Sequence, residues 1–225
     1  AEDRAGGYIE KIMKGMDLAL MTDAGTPLIS DPGFEIVRMA KDKGIKRVPI
    51  PGPNAAIAAL SSAGLPADRF IFDGMVPKKE KKREEYFQSL KTERRTSVVY
   101  ESPHRIKKTL NALQDILPNR EISLARELTK KYEEIISGNP QEVFNQLSTE
   151  NTRGEMTLII SGADDEEIDQ IKKRKFKDVS VSDQFQTLRN LHGMGRKEAM
   201  KKIADIRGIS KRKVYDKLLQ EKDKK

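Results

Sequence analysis

The sequence contains no cysteine and no tryptophan, only two histidines, and few aromatic residues, which make up 5% of its 225 positions. Without cysteine the chain can form neither a disulfide nor a thiolate metal site, and it has no cysteine nucleophile. His104 and His192 are too few for a typical histidine-rich zinc site, so we expect no bound metal. No apolar run approaches the roughly 20 residues that cross a bilayer. These absences favour a soluble protein of a reducing compartment such as the cytoplasm.

The charge of the chain is strongly positive. Lys and Arg number 43 against 35 Asp and Glu, which gives a net charge of +8 and a pI near 9.4. Residues 164–225 hold 18 basic and 12 acidic residues, so +6 of this excess lies there. Basic side chains supply most of the sequence-independent affinity for nucleic acid, and the excess favours a polyanionic partner. A basic surface that only contacts solvent is the alternative.

A polar loop follows the first short apolar segment of the chain. Residues 18–33 read LALMTDAGTPLISDPG, and we predict a strand over 18–22 that runs into the loop. Gly25 and Gly33 would let a ligand approach the backbone closely. Side-chain oxygens come from Asp23, Thr26, Ser30 and Asp31. In α/β sheets ligands bind beyond the carboxyl ends of strands, although a polar turn without a ligand has the same composition.

A second loop of the same character follows a predicted strand over 46–50. Residues 49–66 read PIPGPNAAIAALSSAGLP, with Gly52 between two prolines and Asn54 placed as a helix N-cap. We predict a helix of small apolar residues over 55–63. Each loop follows a strand and precedes a helix, so together they are interpreted as two walls of one pocket. A buried helix without a ligand is the alternative for this segment alone.

Five segments occur in the order and approximate spacing of one family. They are DAGTPLISDPG, PGPNAAIAALSSAGLPADRF, YESPHR, ARELTKKYEE and RGEMTLIISG. Over residues 8–163 the chain resembles the tetrapyrrole methylase superfamily, and within it the S-adenosylmethionine-dependent 2'-O-methyltransferases of small-subunit ribosomal RNA. Five ordered motifs are far more specific than one glycine-rich loop.

The resemblance implies a fold and an activity. The fold would be an α/β, two-domain, tetrapyrrole methylase-like fold with a small C-terminal helical domain. The activity would be methyl transfer from S-adenosylmethionine to a cytidine ribose 2'-hydroxyl in 16S ribosomal RNA by a homodimer. Two alternatives remain, namely a small-molecule methyltransferase of the same fold that acts on a tetrapyrrole-type ring, and an RNA-binding module without catalysis.

The resemblance also implies where a cofactor would bind. The expected cofactor-binding residues are Asp23, Ala24, Gly25, Thr26, Pro27, Pro53, Asn54, Ala55 and Ser102. Catalysis requires a group that removes the 2'-hydroxyl proton, and His104 and Glu127 are the weak candidates. A lone histidine at a helix start is more often a capping or hydrogen-bonding residue, and Glu127 could belong to a structural ion pair with its neighbours.

Family members begin with a strand and loop of the type TPIGNL ahead of an AEDTR-like segment. Here Ala1-Glu2-Asp3-Arg4 resemble that later segment. We therefore expect the N-terminal strand of the family to be missing from this sequence, and the first cofactor loop cannot be assigned. An intact mass well above 25.5 kDa would support this expectation.

Three regions are predicted along the chain. Residues 1–73 would form an incomplete N-terminal α/β domain with helices over 8–14 and 34–43, and residues 74–163 a second α/β domain. The second domain is predicted to contain strands over 96–101, 121–126 and 156–161, a helix over 106–117 and a sheet-rich segment over 128–138. Residues 74–83 are predicted as a charged connector and 164–175 as a charged linker. Residues 180–221 have helical periodicity, with a turn at Gly208 and an N-cap at Ser210.

Basic residues at three places are predicted to contact RNA phosphates. They are Lys78, Lys79, Lys81, Lys82 and Arg83 in the connector, Arg105 at the end of the YESPHR segment, and Lys211, Arg212 and Lys213 at the start of the last helix. Arg105 could instead bind the carboxylate of the cofactor, because its planar fork suits both anions. The C-terminal helix-turn-helix could alternatively serve only for packing or dimerisation.

Overall fold

A computed structural model describes residues 2–147, 154–175 and 179–222. The chain forms two compact units, Ala1–Gly162 and Ala163–Lys225. The predicted further division of the first unit at residue 73 stays a prediction. No helix in the described part of the chain is long and apolar enough to span a membrane.

Three helices precede the sheet of the first unit. They are α1 (Glu2–Met13), α2 (Phe34–Asp42) and α3 (Ala55–Ser62). Their sequences repeat apolar residues at helical spacing, and α1 packs against α2 with Ala5, Ile9 and Ala40 buried. Helix α3 begins at the predicted N-cap, where the Asn54 side chain accepts a hydrogen bond from the backbone N–H of Ile57 at 3.1 Å.

Two predicted strands do not form. Segments 18–22 and 46–50 have no strand structure, and the side chains of Val48 and Ile50 are 65% and 80% exposed. A strand needs a neighbouring backbone to satisfy its N–H and C=O groups. Among the described residues neither segment pairs with the sheet, so both strand predictions are wrong for this structure.

A five-stranded mixed sheet forms the centre of the first unit. Its strands are β1 (Phe70–Met75), β2 (Thr96–Glu101), β3 (Ile122–Arg126), β4 (Glu134–Gly138) and β5 (Met156–Ile160), in the order β1-β2-β5-β3-β4. Strands β1 and β2 pair in parallel, whereas the other three pairs are antiparallel. Because β2 and β3 both run antiparallel to β5, the carboxyl ends of β1, β2 and β3 lie at one edge.

Alternating side chains of the central strands cover both faces of this sheet. Helix α3 packs on the face that carries Val98, Ala125 and Ile159. The other face, with Val99, Leu124 and Leu158, packs in a larger core. That core includes residues of helices α4 (Glu80–Ser89), α5 (Ile106–Ile116) and α6 (Pro140–Gln146). Period-two burial on strands with helices on both sides gives a three-layer arrangement.

The predicted connector over 74–83 is partly helical. Helix α4 begins inside it at Glu80 and buries Arg83 and Phe87, which lie four residues apart on one face. The lysines around Arg83 remain exposed, so the high charge of this segment reflects the solvent side of an amphipathic helix rather than a loop. Sequence reasoning missed this helix because charge outnumbers apolar residues in its first turns.

The second unit is helical. It contains α7 (Asp165–Lys175), α8 (Val181–Asn190), α9 (Arg196–Arg207) and α10 (Lys211–Lys222). Segment 164–175, predicted as a linker, is mostly helix because the Asp164 side chain caps α7 at Glu167 and acidic residues occupy its first turn. Helices α8 to α10 pack around Val181, Met200, Ile203, Ala204 and Val214.

The turn between α9 and α10 has the predicted form. Gly208 ends α9 in the left-handed conformation with φ 61°, which glycine adopts without a steric cost. The Ser210 hydroxyl then accepts a hydrogen bond from the Lys213 N–H at 3.2 Å and caps α10. Helix, glycine turn and helix are therefore as the sequence indicates.

Candidate active site

The two polar loops are in direct contact. The Thr26 hydroxyl donates a hydrogen bond to the carbonyl of Pro53 at 3.0 Å, although 27 positions separate the two residues. Gly25 lies beside the same carbonyl, and a Cβ built on it would stand 3.8 Å from the Pro53 oxygen. The two loops are therefore in contact, and their prediction as two walls of one pocket stays a prediction.

The first loop holds an unusual backbone that leaves its polar groups exposed. The Thr22 hydroxyl donates to the carbonyls of Ala24 and Gly25 at 3.2 and 3.1 Å, which closes a tight turn. Gly25 has φ 82°, and Leu28 and Ser30 are also left-handed, with φ 73° and 62°. Left-handed non-glycine residues are uncommon and cluster at functional sites. Asp23, Ala24 and Gly25 are exposed, whereas Thr26 and Pro27 are half-buried.

The second loop is linked to the sheet through a tyrosine. Asn54 and Ala55 are half-buried at the start of α3, and the next residue, Ala56, donates its N–H to the Tyr100 hydroxyl at 3.3 Å. Tyr100 stands near the carboxyl end of β2, with its ring edge-to-face on Phe72 at 5.0 Å. The start of α3 is therefore fixed over the edge where β1 and β2 end.

Burial raises the pKa of Tyr100, and the negative charges of Asp31 and Glu155 raise it further. A single phenol thus lies close enough to feel one carboxylate from the first loop and one from the residue before β5. The hydroxyl keeps its proton at neutral pH and can donate a hydrogen bond. Sequence reasoning did not single out Tyr100 or Glu155, although both lie in the quoted motifs YESPHR and RGEMTLIISG.

The YESPHR segment contains a buried ion pair. The Glu101 carboxylate is fully buried and contacts Arg105 at 2.9 Å, while the Thr109 hydroxyl donates to it at 2.5 Å. Arg105 also donates to the carbonyl of Val76 at 2.6 Å. Both contacts use one terminal nitrogen of the guanidinium, so the predicted contact of Arg105 with RNA phosphate stays a prediction.

Two other predicted residues lie in this turn. Ser102 is half-buried at the end of β2, and its N–H donates to Glu101 at 2.7 Å. His104 is exposed just before α5 and forms no hydrogen bond within the part of the chain that the structure describes. Ser102 is therefore placed at the same strand end as Tyr100, and His104 is accessible to solvent.

Glu127 lies in a charged cluster at the end of β3. Its carboxylate accepts hydrogen bonds from Lys130 and from the Glu155 N–H, both at 3.2 Å, and Lys130 also contacts Glu155 at 3.5 Å. The hydrogen bond from Lys130 lowers the pKa of Glu127, with a smaller contribution from the Glu155 N–H. Gly154 has φ 87°, a conformation that favours glycine, and a Cβ there would displace the Glu127 carboxylate.

The remaining basic candidates differ in exposure. Lys78, Lys79, Lys81 and Lys82 are exposed around the start of α4, and Lys211, Arg212 and Lys213 are exposed on α10. Arg83 is buried, with 7% of its surface exposed, so it is not part of the exposed basic surface that the sequence predicted. Over residues 2–147, 154–175 and 179–222 there is no cluster of His, Asp and Glu that could hold a metal.

Comparison with known proteins identifies the family. Residues 2–143 match the family described as Tetrapyrrole (Corrin/Porphyrin) Methylases. The chain is 40% identical over 208 residues to the ribosomal RNA small subunit methyltransferase I of Bacillus subtilis (strain 168), covering 92% of this chain and 70% of that protein. It is 38% identical over 227 residues to the protein of the same name from Escherichia coli O157:H7, covering 98% and 75%.

A solved structure shares the fold. The crystal structure of the methyltransferase CobJ superposes with a TM-score of 0.54 at 19% identity, covering 72% of this chain and 71% of that one. At this identity the likeness concerns the fold alone, and the predicted fold class is confirmed. The chain is a methyltransferase by its relatives, and it belongs to the tetrapyrrole (corrin/porphyrin) methylase family and, within it, to the ribosomal RNA small subunit methyltransferase I proteins.

Proposed function

We propose that this chain transfers a methyl group from S-adenosylmethionine to the 2'-hydroxyl of a cytidine ribose in the 16S RNA of the small ribosomal subunit, in the cytoplasm. Relatives at 38–40% identity named for ribosomal RNA methylation support an RNA substrate. The observation that carries the proposal is the hydrogen bond between Thr26 and Pro53, which joins two polar loops beside the exposed backbone of Gly25.

The residues around Gly25 fit a nucleoside-type cofactor. A Cβ at Gly25 would meet only the Pro53 oxygen, at 3.8 Å, so packing within the protein does not fill this space. The exposed Asp23 carboxylate can accept hydrogen bonds from ribose hydroxyls, and the backbone of Ala24 and Gly25 offers further polar groups. When bound, S-adenosylmethionine supplies an electrophilic methyl group on a sulfonium.

The other wall of the pocket is held rigidly. The side-chain oxygen of Asn54 caps α3, and the N–H of Ala56 donates a hydrogen bond to the Tyr100 hydroxyl. These residues therefore position the loop and shape the pocket, and the contacts left to a ligand are the half-buried surfaces of Pro27, Asn54, Ala55 and Ser102. A rigid site holds its ligand for in-line attack at a low entropic cost.

The two candidates for proton removal differ in their surroundings. The Glu127 carboxylate accepts two hydrogen bonds and has a lowered pKa, which makes it a weaker proton acceptor. Its negative charge, with that of Glu155, instead suits orientation of a hydroxyl or stabilisation of positive charge. His104 is exposed and unbonded within the described residues, so its imidazole is accessible to a substrate. We favour His104 as the base and Glu127 as a positioning group.

The experiment uses the full chain, S-adenosylmethionine with a labelled methyl group, and 30S subunits that lack the modification. We expect labelled 2'-O-methylcytidine after nuclease digestion of the 16S RNA, no label on 50S subunits, and inhibition by S-adenosylhomocysteine. His104→Ala should lower kcat, whereas Glu127→Gln should alter KM and kcat together. Label on a base or the absence of transfer to 30S subunits would contradict the proposal.

A further inference from the structure

Arg83 is largely buried, and none of the described residues pairs with its guanidinium. Only 7% of its surface is exposed, and its Nε is buried without a hydrogen bond. Within the part of the chain that the structure describes, no carboxylate forms an ion pair with its guanidinium and no side-chain hydrogen bond satisfies it. Buried charges in proteins are normally paired, since removing an ion from water is costly. An arginine left in this state points to a ligand that completes its hydrogen bonds.

Arg83 lines a groove of about 670 Å³ between helices α4 and α5. Two further cations line the same groove, Lys78 before α4 and Lys108 on α5, and both are exposed. The groove lies on the helices that cover the face of the sheet opposite α3. Its residues are therefore different from those of the cofactor loops.

The start of α4 adds donors to the cationic side chains. This ten-residue helix has Lys79 at its N-cap, and no side chain caps its first N–H groups. Free N–H groups at a helix start bind anions, an effect that the helix dipole reinforces. The groove also contains the carboxylates of Glu80, Glu84 and Asp115, which balance its formal charge. Affinity must then come from the unmet hydrogen bonds of Arg83 and the helix start, and not from long-range attraction.

We propose that this groove is an anion-binding site for a phosphate group, with Arg83 as its principal ligand and Lys78 and Lys108 as flanking cations. The planar guanidinium fits the tetrahedral oxygens of phosphate with two parallel hydrogen bonds. The proposal rests on the proposed function only where it names an RNA backbone phosphate as the source of the bound anion. Free phosphate has the same chemistry and is the other source.

The first experiment measures thermal unfolding of the full chain in inorganic phosphate against chloride of equal ionic strength. At ten times its Kd, phosphate should raise the Tm by roughly 3–6 °C. Arg83→Met should abolish this rise, and Lys108→Met should reduce it. Lys107→Met makes the same charge change on the same helix outside the groove and should retain the full rise. An undiminished rise in Arg83→Met would overturn the site.

A second measurement tests whether Arg83→Met loses phosphate binding only because it folds poorly. In phosphate-free buffer Arg83→Met should unfold at a Tm no lower than that of the parent, because it removes an unpaired buried charge. A clearly lower Tm would mean that Arg83 has a structural partner and would overturn the proposal. Isothermal titration of phosphate into Lys108→Met, which keeps Arg83, then gives the expected partial loss independently.

The third experiment identifies the source of the phosphate. Binding to 30S subunits is measured against salt for the parent, Arg83→Met and Lys107→Met. If RNA supplies the phosphate, Arg83→Met should reduce the slope of log K against log salt by about 1, relative to Lys107→Met. An unchanged slope with lost phosphate binding assigns the site to free phosphate. Failure of methyl transfer to 30S subunits would contradict the proposed function and leave the phosphate titration unaffected.

Discussion

Single backbone positions decide how the first polar loop can meet a ligand. Gly25 and Gly15 have similar left-handed conformations, with φ 82° and 92°, but only Gly25 lies beside the second loop. The backbone cost of a side chain is therefore similar at both positions, while the effect on a ligand differs. This pair separates strain from a direct clash.

Gly25→Val should weaken S-adenosylmethionine binding by about 30-fold or more, equivalent to about 2 kcal/mol, because the valine occupies the space above the loop. Calorimetric titration measures the affinity. Gly15→Val is the matched control and should retain it, since nothing lies within 4 Å of its Cβ. Equal affinity in both variants would remove this loop from the site.

The charged cluster at the end of β3 has a defined pH dependence. The Lys130 hydrogen bond lowers the pKa of Glu127, so its stabilising effect is present above the ordinary carboxyl pKa of about 4.3 and is lost as pH falls through the lower folded value. Lys130→Met should move the Glu127 pKa back toward the ordinary value in an NMR titration. Lys131→Met, an exposed neighbour, should leave it unchanged. A Glu127 pKa that is unchanged in Lys130→Met would contradict this arrangement.

At the scale of elements, two asparagines cap helices on opposite faces of one sheet. Asn54 caps α3 beside the candidate site, and Asn139 caps α6 as part of a capping box with Glu142. Both caps are local features of the sequence, but only α3 belongs to the pocket. The two helices thus allow the stability of a helix and the binding of a ligand to be tested separately.

Asn54→Ala and Asn139→Ala should each lower the free energy of unfolding by about 1 kcal/mol in urea denaturation, through loss of the N-cap hydrogen bond. Only Asn54→Ala should also weaken S-adenosylmethionine binding. Asn54→Ser restores the cap and should recover the stability. A variant of Asn139 that weakened cofactor binding equally would show that the effect is general destabilisation.

Helix α10 presents three consecutive exposed cations at its start, Lys211, Arg212 and Lys213. Replacing all three by Glu should weaken binding to 30S subunits and flatten its salt dependence by a slope of up to about 2–3, whereas cofactor affinity should not change. The double variant Lys201→Glu, Lys202→Glu on α9 is the control. It tests whether charge changes elsewhere in this unit weaken binding to 30S subunits as much as the changes on α10 do. Full-rate methylation by the triple variant across the salt range would show that the helix contributes no RNA contact.

At the scale of the whole molecule, the first unit exposes apolar surface. Met21 is 82% exposed and Ile50 80% exposed, and Met13, Phe34 and Val48 are each at least 60% exposed. Exposed apolar residues of this size often mark an interaction surface. A homodimer that covers these residues is the proposal that the family resemblance suggests.

Light scattering at micromolar concentration should therefore give about twice the chain mass of 25.5 kDa. Met21→Lys with Ile50→Lys should shift the equilibrium toward monomer if this surface lies in the interface. Lys46→Glu changes the charge of an exposed residue outside this apolar set and serves as the control. A mass equal to that of a single chain over this concentration range would contradict the dimer.

Local pattern was sufficient wherever the relevant interactions are close in sequence. The strand over 96–101, the cap at Asn54, and the glycine turn with its Ser210 cap were predicted from neighbouring residues. These features depend on backbone preference, side-chain alternation and hydrogen bonds that span three or four residues. The sequence motifs also determined the family, because five ordered segments occur together only in related chains.

Contacts between distant residues were decided by the tertiary structure alone. Packing placed Thr26 against Pro53, and it buried Arg83 while its lysine neighbours stayed exposed. It also joined the Arg105 guanidinium to the carbonyl of Val76, 29 positions earlier, and left segments 18–22 and 46–50 outside the sheet. A strand forms only where a neighbouring strand pairs with its backbone hydrogen-bonding groups. A charged side chain is available to a ligand only where no nearby side chain pairs with it. Both conditions depend on where the rest of the chain lies, which no local pattern of residues contains.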